Sequence, residues 1–144
     1  MSHSTPSPLD PQIVATLPHI FVDRSLGAIQ VPRLLRAAGL TLTTLREYYG
    51  EQHGQRVSDH EWIQLTAQRG WIAFHKDAQV RRNVAERQTV IDHGARMFCV
   101  PRADITAADL AARFMANISA IAVAVQADGP FIYSVQPHRI VRLL

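Results

Sequence analysis

Between Val57 and Asp77 the chain reads VSDHEWIQLTAQRGWIAFHKD, which spells a capped helix, a glycine stop and an apolar strand ending in charge. Ser58 stands at the N-cap, and Glu61 three residues later completes a Ser-x-x-Glu capping box. The helix then spans about Asp59 to Arg69, and Gly70 supplies the left-handed residue that ends it. Trp71-Ile72-Ala73-Phe74 follows as a buried strand that runs into His75-Lys76-Asp77. The helix rises roughly 16 Å, and the strand returns roughly 23 Å. Asp59 and Glu61 at the helix start are therefore expected at the same end of the unit as Asp77.

The rest of the chain repeats this alternation. Ile20-Phe21-Val22 is a short strand running into Asp23; a helix from about Pro32 to Ala38 stops at Gly39. Leu40 to Arg46 alternates apolar residues with Thr as a second strand and ends at Glu47, and Tyr48 to Val57 reads as a polar loop. Ala78 to Gly94 is helical, Arg96 to Val100 is a strand, and Thr106 opens a helix continuing to about Ala127. Phe131 to Val135 is the next strand, and the tail from His138 either pairs at an edge or leaves the domain. Residues 1–17, rich in Pro, Ser and Thr, read as a flexible arm before one domain over 18–144. Strands alternating with helices predict an α/β fold with a mainly parallel sheet.

Right-handed crossovers place the C-terminal ends of parallel strands on one edge, where ligands bind in such sheets. Three strands end in an acid, namely Asp23, Glu47 and Asp77, and Asp59 and Glu61 join them from a helix start. Five of the 12 carboxylates are thus expected in one place. Two unit charges ~4 Å apart repel by about 4 kcal/mol at an effective dielectric of 20, so such a gathering calls for a cation. Oxygen-only ligands favour Mg²⁺ or Mn²⁺, which suit phosphoryl chemistry. Each acid also has a structural reading. Glu61 closes the capping box, Asp59 complements the helix dipole, Asp77 caps the Ala78 segment, and Glu47 is a solvated charge beside Arg46. Asp23, directly on the end of a core strand, is the hardest to dismiss. Arg24, Lys76, Arg81 and Arg82 flank the acids and suit a phosphate backbone; a solvated helix face explains Arg81 and Arg82 as well.

Composition excludes more than it selects. Net charge is only +3, yet the basic residues are 14 Arg and a single Lys, which fits nucleic acid and a GC-rich genome equally. The seven His show no His-x-x-x-His or Cys/His spacing for zinc. No P-loop or Gly-x-Gly-x-x-Gly occurs. The single cysteine, Cys99, lies in an apolar run and is expected as a small buried hydrophobe. With no secretory signal and no membrane-length apolar run, a cytoplasmic protein is expected.

FVDRSLG, the strand-end Glu47, SDHEWIQLTA and GWIAFHKD follow one another in the order seen in PIN-like proteins, and GPFIYSVQPHRIVRL resembles the VapC-like variant. The resemblance implies a three-layer PIN-like fold and a Mg²⁺- or Mn²⁺-dependent ribonuclease cutting phosphodiester bonds. It implies Asp23, Asp59 and Asp77 as metal-binding acids, with Glu61 and Glu47 as weaker carry-overs. It further implies an RNA substrate, a cognate antitoxin protein, often a homodimer, and the toxin role in a type II toxin–antitoxin pair. The acid spacings are those of the compact PIN-like group, which leaves the fourth acid open. A non-catalytic PIN-like module docking RNA or protein is the alternative. A receiver-type phosphoacceptor is a poorer fit, since Arg24 rather than a second acid follows Asp23.

Overall fold

The computed structural model describes residues 9–144; residues 1–8 of the expected arm lie outside the described residues. The strands are β1 (Ile20–Val22), β2 (Leu42–Thr44), β3 (Ile72–Lys76), β4 (Arg96–Val100), β5 (Phe131–Val135) and β6 (Ile140–Arg142). They form one sheet in the order β2-β1-β3-β4-β5-β6. All neighbours are parallel except β6, which pairs antiparallel with β5, so the C-terminal tail closes the sheet edge.

The helices are α1 (Pro11–Val14), α2 (Gln30–Ala37), α3 (Leu45–Tyr49), α4 (Glu51–Gly54), α5 (Asp59–Arg69), α6 (Val84–His93), α7 (Ala107–Ala116) and α8 (Ile118–Ala124). Successive strand residues point to opposite faces, and both faces are covered. Ile72, Phe74, Phe98 and Phe131 pack with Leu35, Phe114 and Ile121 on one side of the sheet. Ala73, Met97, Cys99 and Ile132 pack with Trp62, Ile63 and Val90 on the other. The result is the three-layer architecture expected for parallel strands buried on both faces.

α5 forms as its sequence dictates. The Ser58 hydroxyl accepts from Glu61 N at 3.2 Å, Gly70 ends the helix at φ 69°, and Trp62, Ile63 and Thr66 face inward. Several segments differ from expectation. The second strand is only Leu42–Thr44, because Thr44 turns the chain into α3. A reciprocal capping box forms there, with Glu47 N donating to Thr44 Oγ1 and Thr44 N donating to the Glu47 carboxylate. The segment read as a polar loop is thus partly α3 and α4. Helix α6 begins only at Val84, capped by Asn83, after a turn closed by Asp77. The helix expected over Thr106–Ala127 is two helices bent by 55°. Buried Asn117 breaks it, donating from Nδ2 to Arg113 O at 2.9 Å and to Gln136 O at 2.7 Å. Finally, Leu9, Ile13, Val14 and Leu17, within the segment read as an arm, pack against the core. No single helix among the described residues is long and apolar enough to cross a membrane.

Candidate active site

The chain leaves β1 for β2 on one side and returns to β3 on the other, so a topological switch point lies between β1 and β3. Ligand crevices in open parallel sheets open there, beyond the carboxyl ends of the strands. The residues that follow these two strands are Asp23 and Asp77.

Asp23 is buried, at 5% exposure, and caps a 3-10 turn over Arg24–Leu26. Its Oδ1 accepts from Arg24 N at 2.6 Å and its Oδ2 from Ser25 N at 3.4 Å. Burial outweighs these bonds and holds the carboxyl above the usual range. Ser25 Oγ accepts from Lys76 N at 2.9 Å, which locks the turn to the end of β3. Asp77 accepts from Gln79 N at 2.8 Å and from Asn83 Nδ2 at 3.3 Å. Asp59, in the first turn of α5, accepts from Trp62 Nε1 at 3.0 Å, which fixes its carboxylate against the buried indole.

Glu86 is a buried acid at this edge that sequence reasoning did not single out. It lies in the first turn of α6 under the Asn83 cap, and its side chain is only 3% exposed. Burial, then the charges of Asp77, Asp59 and Asp23, push its carboxyl up to about 8. Asp23 and Asp77 follow the neighbouring strands β1 and β3, and Asp59 and Glu86 lie in the first turns of α5 and α6. His75, on the same face as α6, lies with Nδ1 4.0 Å from Glu86 Oε1 and is lowered to about 4 by burial, against the raising effect of Asp77 and Asp59. His75 Nε2 and Glu86 Oε2 are buried without a hydrogen-bond partner. Burial, with Glu86 and Asp77 beside it, also raises the Cys99 thiol, so it is no nucleophile.

The other expected residues stand elsewhere. Glu47 is spent in the α3 capping box and pairs with Arg36 at 2.7 Å. Glu61 makes no return bond to Ser58 and faces His53 at 3.7 Å. Both are about half exposed. The Arg24 guanidinium donates to Gln55 O and Val57 O, tying the 3-10 turn to the segment before α5. Lys76 Nζ donates to Ala103 O at 3.3 Å. Arg81 and Arg82 are exposed beside the cluster and line a hollow of about 400 Å³ next to Asp77.

Among the described residues, no Lys or Arg forms an ion pair with Asp23, Asp59, Asp77 or Glu86. Nor do any three of their His, Cys, Asp and Glu side chains form a ready-made metal cage. The donors nevertheless fit a hard divalent cation in their chemistry. They are all oxygen, and Glu86 Oε2 has no partner.

A parallel sheet with strand-end acids at its switch point defines a class. The chain belongs to the PIN-like domains, whose family description, PIN like domain, matches residues 18–102. It is 63% identical over 135 residues to the Mycobacterium tuberculosis protein named "Putative ribonuclease VapC45", a match covering 94% of this chain and 98% of that one. No solved structure matches the chain.

Proposed function

We propose that this protein is a metal-dependent ribonuclease that hydrolyses RNA phosphodiester bonds, the toxin of a type II toxin–antitoxin pair. The observation that carries the reading is the placement of Asp23 and Asp77 directly after β1 and β3 at the switch point, with Asp59 and buried Glu86 in the first turns of α5 and α6. The name of the mycobacterial relative agrees with it.

Asp23, Asp59 and Asp77 would hold Mg²⁺ or Mn²⁺, with Glu86 as the fourth acid. A bound ion supplies Lewis acidity to the phosphate and activation of the attacking water. The protein's own residues set the stage. Trp62 orients Asp59, Asn83 orients Asp77, and the 3-10 turn presents Asp23. Arg81 and Arg82, exposed on the hollow that follows Asp77, would hold the RNA backbone. Glu47 and Glu61 act in folding and at the rim. Residues 9–144 form the nuclease domain, the compartment is the cytoplasm, and a cognate antitoxin restrains the activity, with a homodimer as the assembled form.

Incubating the protein with an RNA pool tests this. Cleavage should stop with chelator, return with Mg²⁺ or Mn²⁺, and be absent in Asp23→Asn. Cleavage indifferent to chelator and unchanged in Asp23→Asn would overturn the proposal.

A further inference from the structure

Beside the acid cluster lies a second feature that phosphodiester hydrolysis does not require. A hollow of about 200 Å³ opens between the 3-10 turn and the α3–α4 hairpin, lined among others by Val22, Asp23, Gly27, Leu45, Arg46 and Glu51. It is smaller than the ~300–1,000 Å³ of pockets for drug-sized ligands, a size suited to one planar ring system. Its floor is apolar, from Val22 and Leu45, both buried. The Arg24 guanidinium, bonded to Gln55 O and Val57 O, holds the far wall in place. At Ala28, Thr44, Arg46 and Glu51 the hollow continues into a second one, beside which Ile29 stands 68% exposed.

Two charged side chains line both hollows. Arg46 Nη2 and Glu51 Oε1 are 3.6 Å apart and more than half exposed, a spacing too long for a tight mutual hydrogen bond. They offer a donor fork and an acceptor pair side by side above an apolar floor. Among the four RNA bases, guanine alone has two adjacent acceptors, O6 and N7, next to two adjacent donors, N1–H and the N2 amino group. An Arg fork on O6 and N7 is the commonest base-specific contact, and a carboxylate suits the donor edge.

We propose that this pocket holds a guanine of the RNA next to the scissile phosphate, with Arg46 and Glu51 as specificity residues. The proposal rests on the ribonuclease reading for its substrate, and Asp23 supplies the link. Asp23 lines the pocket and also follows β1 beside β3, the strand that Asp77 follows, so a base seated here belongs to a nucleotide flanking a phosphate at those acids. Ile29 extends the apolar surface at the mouth, where the sugar or the next base lies.

Two readouts test it separately from the chemistry. In the first, the four nucleoside 5′-monophosphates are titrated into the metal-free protein and the amide spectrum is followed. Guanosine monophosphate should shift the amides of Gly27, Ala28 and Gly54 and bind roughly tenfold or more tighter than the other three, the discrimination of one bidentate Arg–base pair. Arg46→Ala, a change at an exposed side chain, should erase that preference, and Glu51→Gln should weaken it. In the second, a random-sequence RNA library is cut and the ends are sequenced. Guanine should be enriched at one position flanking the cut, and the enrichment should fall in Arg46→Ala. Equal affinities for the four nucleotides, or shifts elsewhere, overturn the proposal and leave the pocket to a protein partner's side chain. Cutting with no base preference overturns it as well. Guanine binding in the pocket of a protein that cuts no RNA would uphold the pocket and sink the ribonuclease reading instead.

Discussion

His75 Nδ1 stands 4.0 Å from Glu86 Oε1 with both side chains almost fully buried. Burial disfavours both charges, lowering His75 to about 4 and raising Glu86 to about 8. The separation is too long for a hydrogen bond, and each residue keeps one polar atom without a partner. The arrangement costs stability in the metal-free protein.

The cost has a pH signature. Glu86 has a folded value of about 8 against 4.5, so its contribution is fully present below pH 4.5 and is lost as pH rises through 8. His75 has a folded value of about 4 against 6.5, so its contribution is present above pH 6.5 and is lost as pH falls through 4. The two oppose each other between those limits, and above pH 6.5 only Glu86 still acts. Denaturant unfolding in chelator should therefore show stability falling between pH 6.5 and 8, by on the order of 2 kcal/mol. Glu86→Gln should flatten that fall. An equal fall in the variant would contradict the assignment.

The aspartates should separate from Glu47 by function. Asp23→Asn and Asp77→Asn should keep the fold and lose at least about a hundredfold in cleavage, since even supporting residues of metal sites are worth 10–100-fold. Glu47→Gln should leave cleavage nearly unchanged and cost about 1 kcal/mol through the capping box and its exposed pair with Arg36. Paired cleavage and unfolding measurements check both. Loss of activity in a well-folded Glu47→Gln would return that residue to the site.

On the proposed site, Trp62 positions Asp59. Trp62→Phe keeps an aromatic ring in the core but deletes the donor to Asp59. Mn²⁺ affinity should fall roughly 10–100-fold, as for lost outer-shell partners. The near-ultraviolet circular dichroism should stay close to that of the folded wild type. Unchanged affinity would show that Asp59 needs no such anchor.

The bend at Asn117 should carry stability. Asn117→Ala removes two hydrogen bonds and leaves the Gln136 carbonyl short of a donor, at a cost of about 1–3 kcal/mol. Thermal unfolding measures it, and a variant as stable as the wild type would mean the bend is held by packing alone.

Much of this fold was legible because local signals agreed. The Ser58 cap, the Gly70 stop and the apolar β3 lead to one arrangement, and Asp23 and Asp77 follow the strands that flank the switch point. Glu47 and Glu61 carry the same ambiguity. Strand-end and helix-start acids serve as caps and rim charges as readily as ligands, and only tertiary contacts distinguish the roles. Glu86 was hidden because Asn83-x-x-Glu86 reads as an ordinary helix start. Its burial comes from packing across the sheet, where periodicity does not reach. Asn117 was equally silent, since the strand-end carbonyl it serves lies 19 residues away.

The most direct measurement is calorimetric titration of Mn²⁺ into the wild type and Asp77→Asn. Saturable binding to the wild type that disappears in the folded variant is the predicted result. A well-folded wild type that binds no Mn²⁺, or a variant that binds it as tightly, would contradict a carboxylate metal centre and favour a PIN-like module that docks a partner without cutting RNA.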